Sequence, residues 1–213
     1  MRKLLALLML AVVGCASAAP SDTDSTIEAL YNPQTKFCFE NGHFTAAEQT
    51  ELQRATNLWN AEGVSLAVGA RNPPFSKVAS TVSACHDLNT VLVVDDVAPV
   101  NQMSTYVPSN GVVQAKIILD KDLIADNAWG AGAANMIQLA RWEFAMQLGY
   151  EIGLGAYPNN NLPGPNVMPG NNGTVGRTPT TPFCLSISDR NLYCQKFGCV
   201  GSSLPNTCVG ATP

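Results

Sequence analysis

From Ala131 to Ile152 the chain contains no proline and reads as one long helix. Met136, Leu139, Ala140, Phe144, Gln147 and Leu148 gather on one side of it. Gly153 follows as the stop, because glycine takes the left-handed backbone that ends helices. An element this long is a scaffold on which the other elements have to pack. Beyond it, Ala156 to Pro182 is rich in Pro, Gly, Asn and Thr and shows no periodicity. A structureless stretch of that length is a functional or mobile loop.

The N-terminus reads as an export signal. Arg2 and Lys3 form a positive start, and Leu4 to Val13 is an apolar run too short to span a bilayer. Val12-Val13-Gly14-Cys15 resembles a bacterial lipobox, in which Cys15 is acylated and becomes the first residue. Ala16-Ser17-Ala18 followed by Ala19 offers a competing cleavage site that discards Cys15. The lipobox is the favoured reading. It implies lipid anchoring in the cell envelope, on the outer membrane where there are two, with a secreted or periplasmic form as the alternative. Residues 1–15 are then the signal, 16–30 a flexible polar tether, and 31–213 a single domain.

Setting Cys15 aside leaves six cysteines: Cys38, Cys85, Cys184, Cys194, Cys199 and Cys208. An even set in an exported chain reads as three disulfides. At least one is expected within Cys184–Cys208, and Cys38 with Cys85 is the natural remaining pair. The net charge is −4, with no basic run, which argues against a nucleic-acid partner.

Along the rest of the domain, Phe37-Cys38-Phe39 is a candidate strand. Thr45-Ala46-Ala47-Glu48 is a capping box that opens a helix running to about Glu62, with Leu52, Ala55, Leu58 and Trp59 toward the core and Gly63 at its end. Val64 to Val68 alternates like a half-buried strand. Val91 to Val94 is continuously apolar, like a strand covered on both faces. Val112 to Leu119 reads as a further strand, and Leu185 to Phe197 as a short final helix capped by Ser186 or Ser188.

Met146-Gln147-Leu148-Gly149-Tyr150-Glu151-Ile152-Gly153-Leu154-Gly155-Ala156 resembles the zinc-protease helix of matrixin-like metzincins, H-E-x-x-H-x-x-G-x-x-H. Trp59-Asn60 ending the first helix, Ala115 to Asp120 as a substrate-pairing edge strand, Asn166-Val167-Met168-Pro169 as a Met-turn and Leu185 to Tyr193 as the closing helix are similar to further parts of that family. The resemblance covers roughly Phe37 to Cys199. It implies an α+β fold with a twisted, mostly parallel sheet, an antiparallel edge strand, two long helices and a short C-terminal helix.

The resemblance also implies a zinc site whose ligand positions here are Met146, Tyr150 and Ala156, with Gln147 at the general-base position. A catalytic zinc needs about three N, S or O donors in fixed geometry. A thioether suits zinc poorly, a phenol near pKa ~10 is protonated, and alanine has no donor. An amide cannot take a proton. Met146 and Tyr150 therefore read as packing residues. No metal, no cofactor and no catalytic residue is expected. Glu143 and Glu151 read as solvated helix-face charges, His43 as a loop residue and His86 as exposed near a disulfide. Asp95, Asp96, Asp120 and Asp122 read as strand-end charges rather than calcium ligands, since their spacing matches no calcium loop.

Three functions are weighed. One is a non-catalytic pseudopeptidase that binds an extended peptide or envelope protein along the 112–119 edge strand. The second is an active zinc metallopeptidase with atypical ligands. The third is a structural envelope lipoprotein.

Overall fold

Side chains that alternate along a strand point to opposite faces of a sheet, and that alternation organises this molecule. The computed structural model describes residues 35–66, 75–79, 81–99, 102–126, 132–156, 166–170 and 181–197. The export signal, Cys15 and the tether lie outside them, as do Cys199, Cys208 and most of the loop read over 156–182. Five strands form one sheet: β1 (Thr35–Phe39), β2 (Phe75–Lys77), β3 (Thr90–Asp95), β4 (Ser104–Val107) and β5 (Lys116–Leu119). Their order is β2-β1-β3-β5-β4, parallel except for the antiparallel pair β4–β5. The helices are α1 (Ala46–Leu66), α2 (Val82–Cys85), α3 (Lys121–Ala125), α4 (Gly132–Glu151) and α5 (Ile187–Phe197). This is the expected α+β arrangement: a mostly parallel sheet with an antiparallel edge strand, two long helices and a shorter last one.

Phe37 and Phe39 of β1, Val91 and Val93 of β3, and Ile117 and Leu119 of β5 share the main core with α1 and α4. Phe144 of α4 meets Phe37 edge-on, with ring centroids 5.7 Å apart. The intervening residues Cys38, Leu92 and Val94 pack on the other face with Cys85 and Ile118. There Cys38 and Cys85 form the expected disulfide, with Cα atoms 5.1 Å apart. Cys184 and Cys194 each take part in a disulfide as well.

The capping box at α1 is formed as read. Thr45 N donates to Glu48 Oε2 at 2.7 Å and Glu48 N donates to Thr45 Oγ1 at 3.2 Å. Such a cap stabilises by ~1 kcal/mol. Leu52, Ala55, Leu58 and Trp59 are all buried. The end of α1 differs from the reading. The helix continues through Gly63 to Leu66, so Val64-Ser65-Leu66 is helical and not a strand. Apolar residues two apart over so short a run do not by themselves choose between helix and strand. Ala67 and Val68 lie outside the described residues.

A larger correction concerns the edge. Within 112–119 only Lys116–Leu119 is a strand, and it lies inside the sheet between β3 and β4. Val112 and Val113 are exposed on a turn, where Asn110 Oδ1 accepts from both of their amides. The edge on this side of the sheet is β4, a four-residue strand, and β2 is the other edge.

Helix α4 ends as expected at Gly153, whose φ is +80°. Leu154 N donates to Gly149 O and Gly153 N to Tyr150 O, each at 2.9 Å, and buried Leu154 closes the turn. At Gly149 the helix lies so close to its neighbours that an added Cβ would stand 2.3 Å from Met168 Sδ and 3.3 Å from Trp59 Cζ2.

Two stability measurements follow. Gly149→Ala is expected to destabilise by ~1–3 kcal/mol in urea unfolding, the usual range for overpacking. The double variant with Met168→Ala recovers part of that loss; strict additivity would refute the contact. Replacing Cys38 and Cys85 by Ser opens a 47-residue separation, and the chain-entropy relation gives a loss of about 4 kcal/mol.

Candidate functional site

Gln147 lies where α4 meets β4, and Gly149 lies where α4 meets Met168 of the 166–168 turn. Residues 143, 147 and 151 are four apart, so they share one helix stripe. Gln147 and Glu143 are buried there, and both reach Ser104 of the edge strand. Ser104 Oγ donates to Glu143 Oε2 at 2.6 Å and accepts from Gln147 Nε2 at 2.7 Å. One turn on, the Tyr106 hydroxyl is hydrogen-bonded to the Glu151 carboxylate. Ser104 and Tyr106 are two apart on β4, so both point to the same face. A seam of five polar side chains thus ties the edge strand to the helix.

Burial sets the electrostatics of the seam. It pushes the Glu151 carboxyl above its ordinary value, with the Tyr106 hydrogen bond pulling the other way. It pushes the Tyr106 phenol up as well, and the Glu151 hydrogen bond and charge add to that. Among the described residues Glu151 Oε2 is buried without a hydrogen-bond partner. Glu143 and Glu151 are therefore not the solvated helix-face charges that the sequence suggested. Their partners sit on a strand some 40 residues away in the chain, which no local pattern displays.

Met146 and Tyr150 occupy the neighbouring stripe. They are half-buried and pack on the main core. Ala156 is exposed. Met168 is fully buried beneath Gly149, and its turn is pinned by Asp189. Val167 N and Met168 N donate to the two oxygens of that carboxylate at 2.9 and 2.8 Å. Ser186 N and Oγ also donate to it, and Asp189 N returns a bond to Ser186 Oγ, so Ser186 is the cap of α5. Burial raises the Asp189 carboxyl above its ordinary range, against the hydrogen bonds it accepts.

The zinc implied by the resemblance does not fit these residues. Gln147 spends its amide on Ser104, Ala156 brings no donor, and the Met146 and Tyr150 side chains pack on the core. Among the described residues no group of three or more His, Cys, Asp or Glu could hold a metal ion.

The other polar residues have structural partners. His43 Nδ1 accepts from Asp95 N at 3.0 Å, and exposed His86 lies 3.6 Å from Glu40. Asp120 caps α3 through Leu123 N, while Asp95 pairs with Lys121 at 3.1 Å. Neither the family models nor the curated proteins searched match this chain.

The raised Glu151 carboxyl gives a pH prediction. A group whose folded-state pKa lies above its unfolded value contributes stability below the unfolded pKa, and loses it as pH rises through the folded one. The wild type minus Glu151→Gln difference in urea stability is thus expected to be constant below about pH 4 and to shrink as pH rises. A difference that grows with pH contradicts the assignment.

Proposed function

We propose that this chain is an exported, lipid-anchored, matrixin-like metzincin domain that has given up catalysis and binds extended peptides at the β4 edge. The observation that carries the reading is the edge strand itself, laid along the helix that bears the degenerate motif.

Hydrogen-bonded and non-bonded pairs alternate in an antiparallel ladder. Asp120 N donates to Met103 O, one step before the register pair Ser104↔Leu119. Thr105 and Val107 therefore direct their backbone groups to β5, while Ser104 and Tyr106 direct theirs outward. Those outward amides and carbonyls supply what strand addition requires. The side chains of the same two residues turn toward α4 and hold the strand in register. Gln147 at the base position favours binding over hydrolysis, since an amide accepts no proton from water.

Anchoring through acylated Cys15 would display this edge at the envelope surface. Cys15→Ala is expected to move the chain from the detergent phase to the aqueous phase in a partition assay.

The main test uses the purified domain, extended peptides and zinc. Peptides N-methylated at alternate residues in one register are expected to lose binding, and those methylated in the other register to keep it. Equal loss in both registers would falsify strand addition. Zinc titration is expected to give no stoichiometric binding; one tightly held zinc per chain favours the metallopeptidase reading instead.

A further inference from the structure

We propose that Asn41-Gly42 is a site of spontaneous succinimide formation and deamidation in the folded chain, while the second described Asn-Gly pair, Asn110-Gly111, is protected by the hydrogen bonds of its own turn.

Asparagine before glycine is prone to this reaction, because no side chain on the second residue hinders its amide. The Gly42 backbone nitrogen loses its proton to base and bonds to Asn41 Cγ. The Cγ–Nδ2 bond breaks, and the side-chain nitrogen leaves as ammonia with a proton from water. Water then opens the succinimide ring. Attack at the side-chain carbonyl gives aspartate, and attack at the main-chain carbonyl gives isoaspartate. Water enters, ammonia leaves, and a neutral amide becomes a carboxylate.

The chain holds three such pairs: Asn41-Gly42, Asn110-Gly111 and Asn172-Gly173. The last lies outside the described residues. The first two share most of what the reaction requires. All four of their residues are exposed. Gly42 and Gly111 have φ of +82° and +80°. A Cβ added at either glycine would meet nothing within 4 Å, so free space does not distinguish them.

Hydrogen bonds do. Asn110 Oδ1 accepts from Val112 N at 3.0 Å and from Val113 N at 2.7 Å. Gly111 N, the would-be nucleophile, donates to Ser109 Oγ at 3.3 Å. The attacked group and the attacking group are both engaged with other partners, and ring closure has to break those bonds first. At the other pair neither group is held. Among the described residues the Asn41 side chain and the Gly42 N–H have no hydrogen-bond partner.

The residues on either side of Asn41-Gly42 are fixed instead. Glu40 N donates to Val93 O at 2.9 Å, and His43 N donates to Glu40 O at 3.2 Å. His43 Nδ1 accepts from Asp95 N at 3.0 Å. Freedom is thus confined to the reacting pair. The isoaspartate product adds a carbon to the backbone between these two fixed residues and sets a new carboxylate next to Glu40.

The test incubates the purified full chain at mildly alkaline pH, folded in buffer or unfolded in guanidinium chloride, and stops the reaction with acid. Peptide mapping by mass spectrometry follows the mass gain of amide-to-acid conversion at each asparagine, and enzymatic methyl labelling scores isoaspartate. In the folded chain Asn41 is expected to convert at least about tenfold faster than Asn110, since breaking the hydrogen bonds at Asn110 raises the barrier there. In guanidinium chloride the two rates are expected to converge, because the protecting turn is lost. Asn110 converting as fast as Asn41 in the folded chain overturns the proposal, and so does an Asn41 that stays intact. A folded-chain ratio that persists in guanidinium chloride overturns it as well, since flanking residues rather than the fold would then set the rates.

Discussion

The close approach at Gly149 is the constraint on which the arrangement turns. A hydrogen in place of a side chain lets the backbone of α4 rest on the sulfur of Met168 and the ring of Trp59. Trp59 uses the closeness twice: its Nε1 donates to Ala145 O at 2.8 Å, and its ring stacks on Tyr193 with centroids 6.1 Å apart. Helix α1, the 166–168 turn and α5 are thereby brought to one side of α4. Asp189 completes the joint by holding the turn to the start of α5. Interiors this dense transmit a shift at one contact to the next.

Pinned on that side, α4 has a fixed rotation, and that rotation decides what it offers the sheet. Phe144 and Leu148 go to the core, while Glu143, Gln147 and Glu151 go to the edge strand. An edge strand is a liability because its outer backbone groups are unpaired. Here it is kept to four residues and is tied down by side chains as well as by the β5 ladder. The result is an edge of fixed register rather than one free to slip.

What could be read in the residues was what local pattern controls. The capping box at Thr45, the buried face around Trp59, the long helix and its Gly153 stop are all set by neighbours within a turn or two. The Cys38–Cys85 pair followed from elimination among six cysteines. The edge strand escaped notice for a physical reason. In Ser104-Thr105-Tyr106-Val107 the inward residues are the polar ones, since they meet a polar seam, and Val107 points away. The alternation rule assumes an apolar core and reads such a strand as a loop. The same inversion hid the burial of Glu143 and Glu151. Val112 and Val113 misled in the opposite sense: an Asn110-bonded turn displays them to solvent while their β-branched pattern suggests a strand.

The seam also gives a reason for the amide at position 147. A serine hydroxyl has one proton to donate and lone pairs to accept with. Ser104 gives its proton to Glu143, so its other partner must be a donor, and the Gln147 amide is one. A glutamate at 147 would set two buried carboxylates about a single hydroxyl proton. Like charges that close repel one another, and neither can donate to the hydroxyl. A glutamate placed at that position would therefore lose the Ser104 donor bond and face the Glu143 carboxylate directly. The amide at 147 and the carboxylate at 143 form one unit, and the two helix positions and the serine on the strand constrain one another.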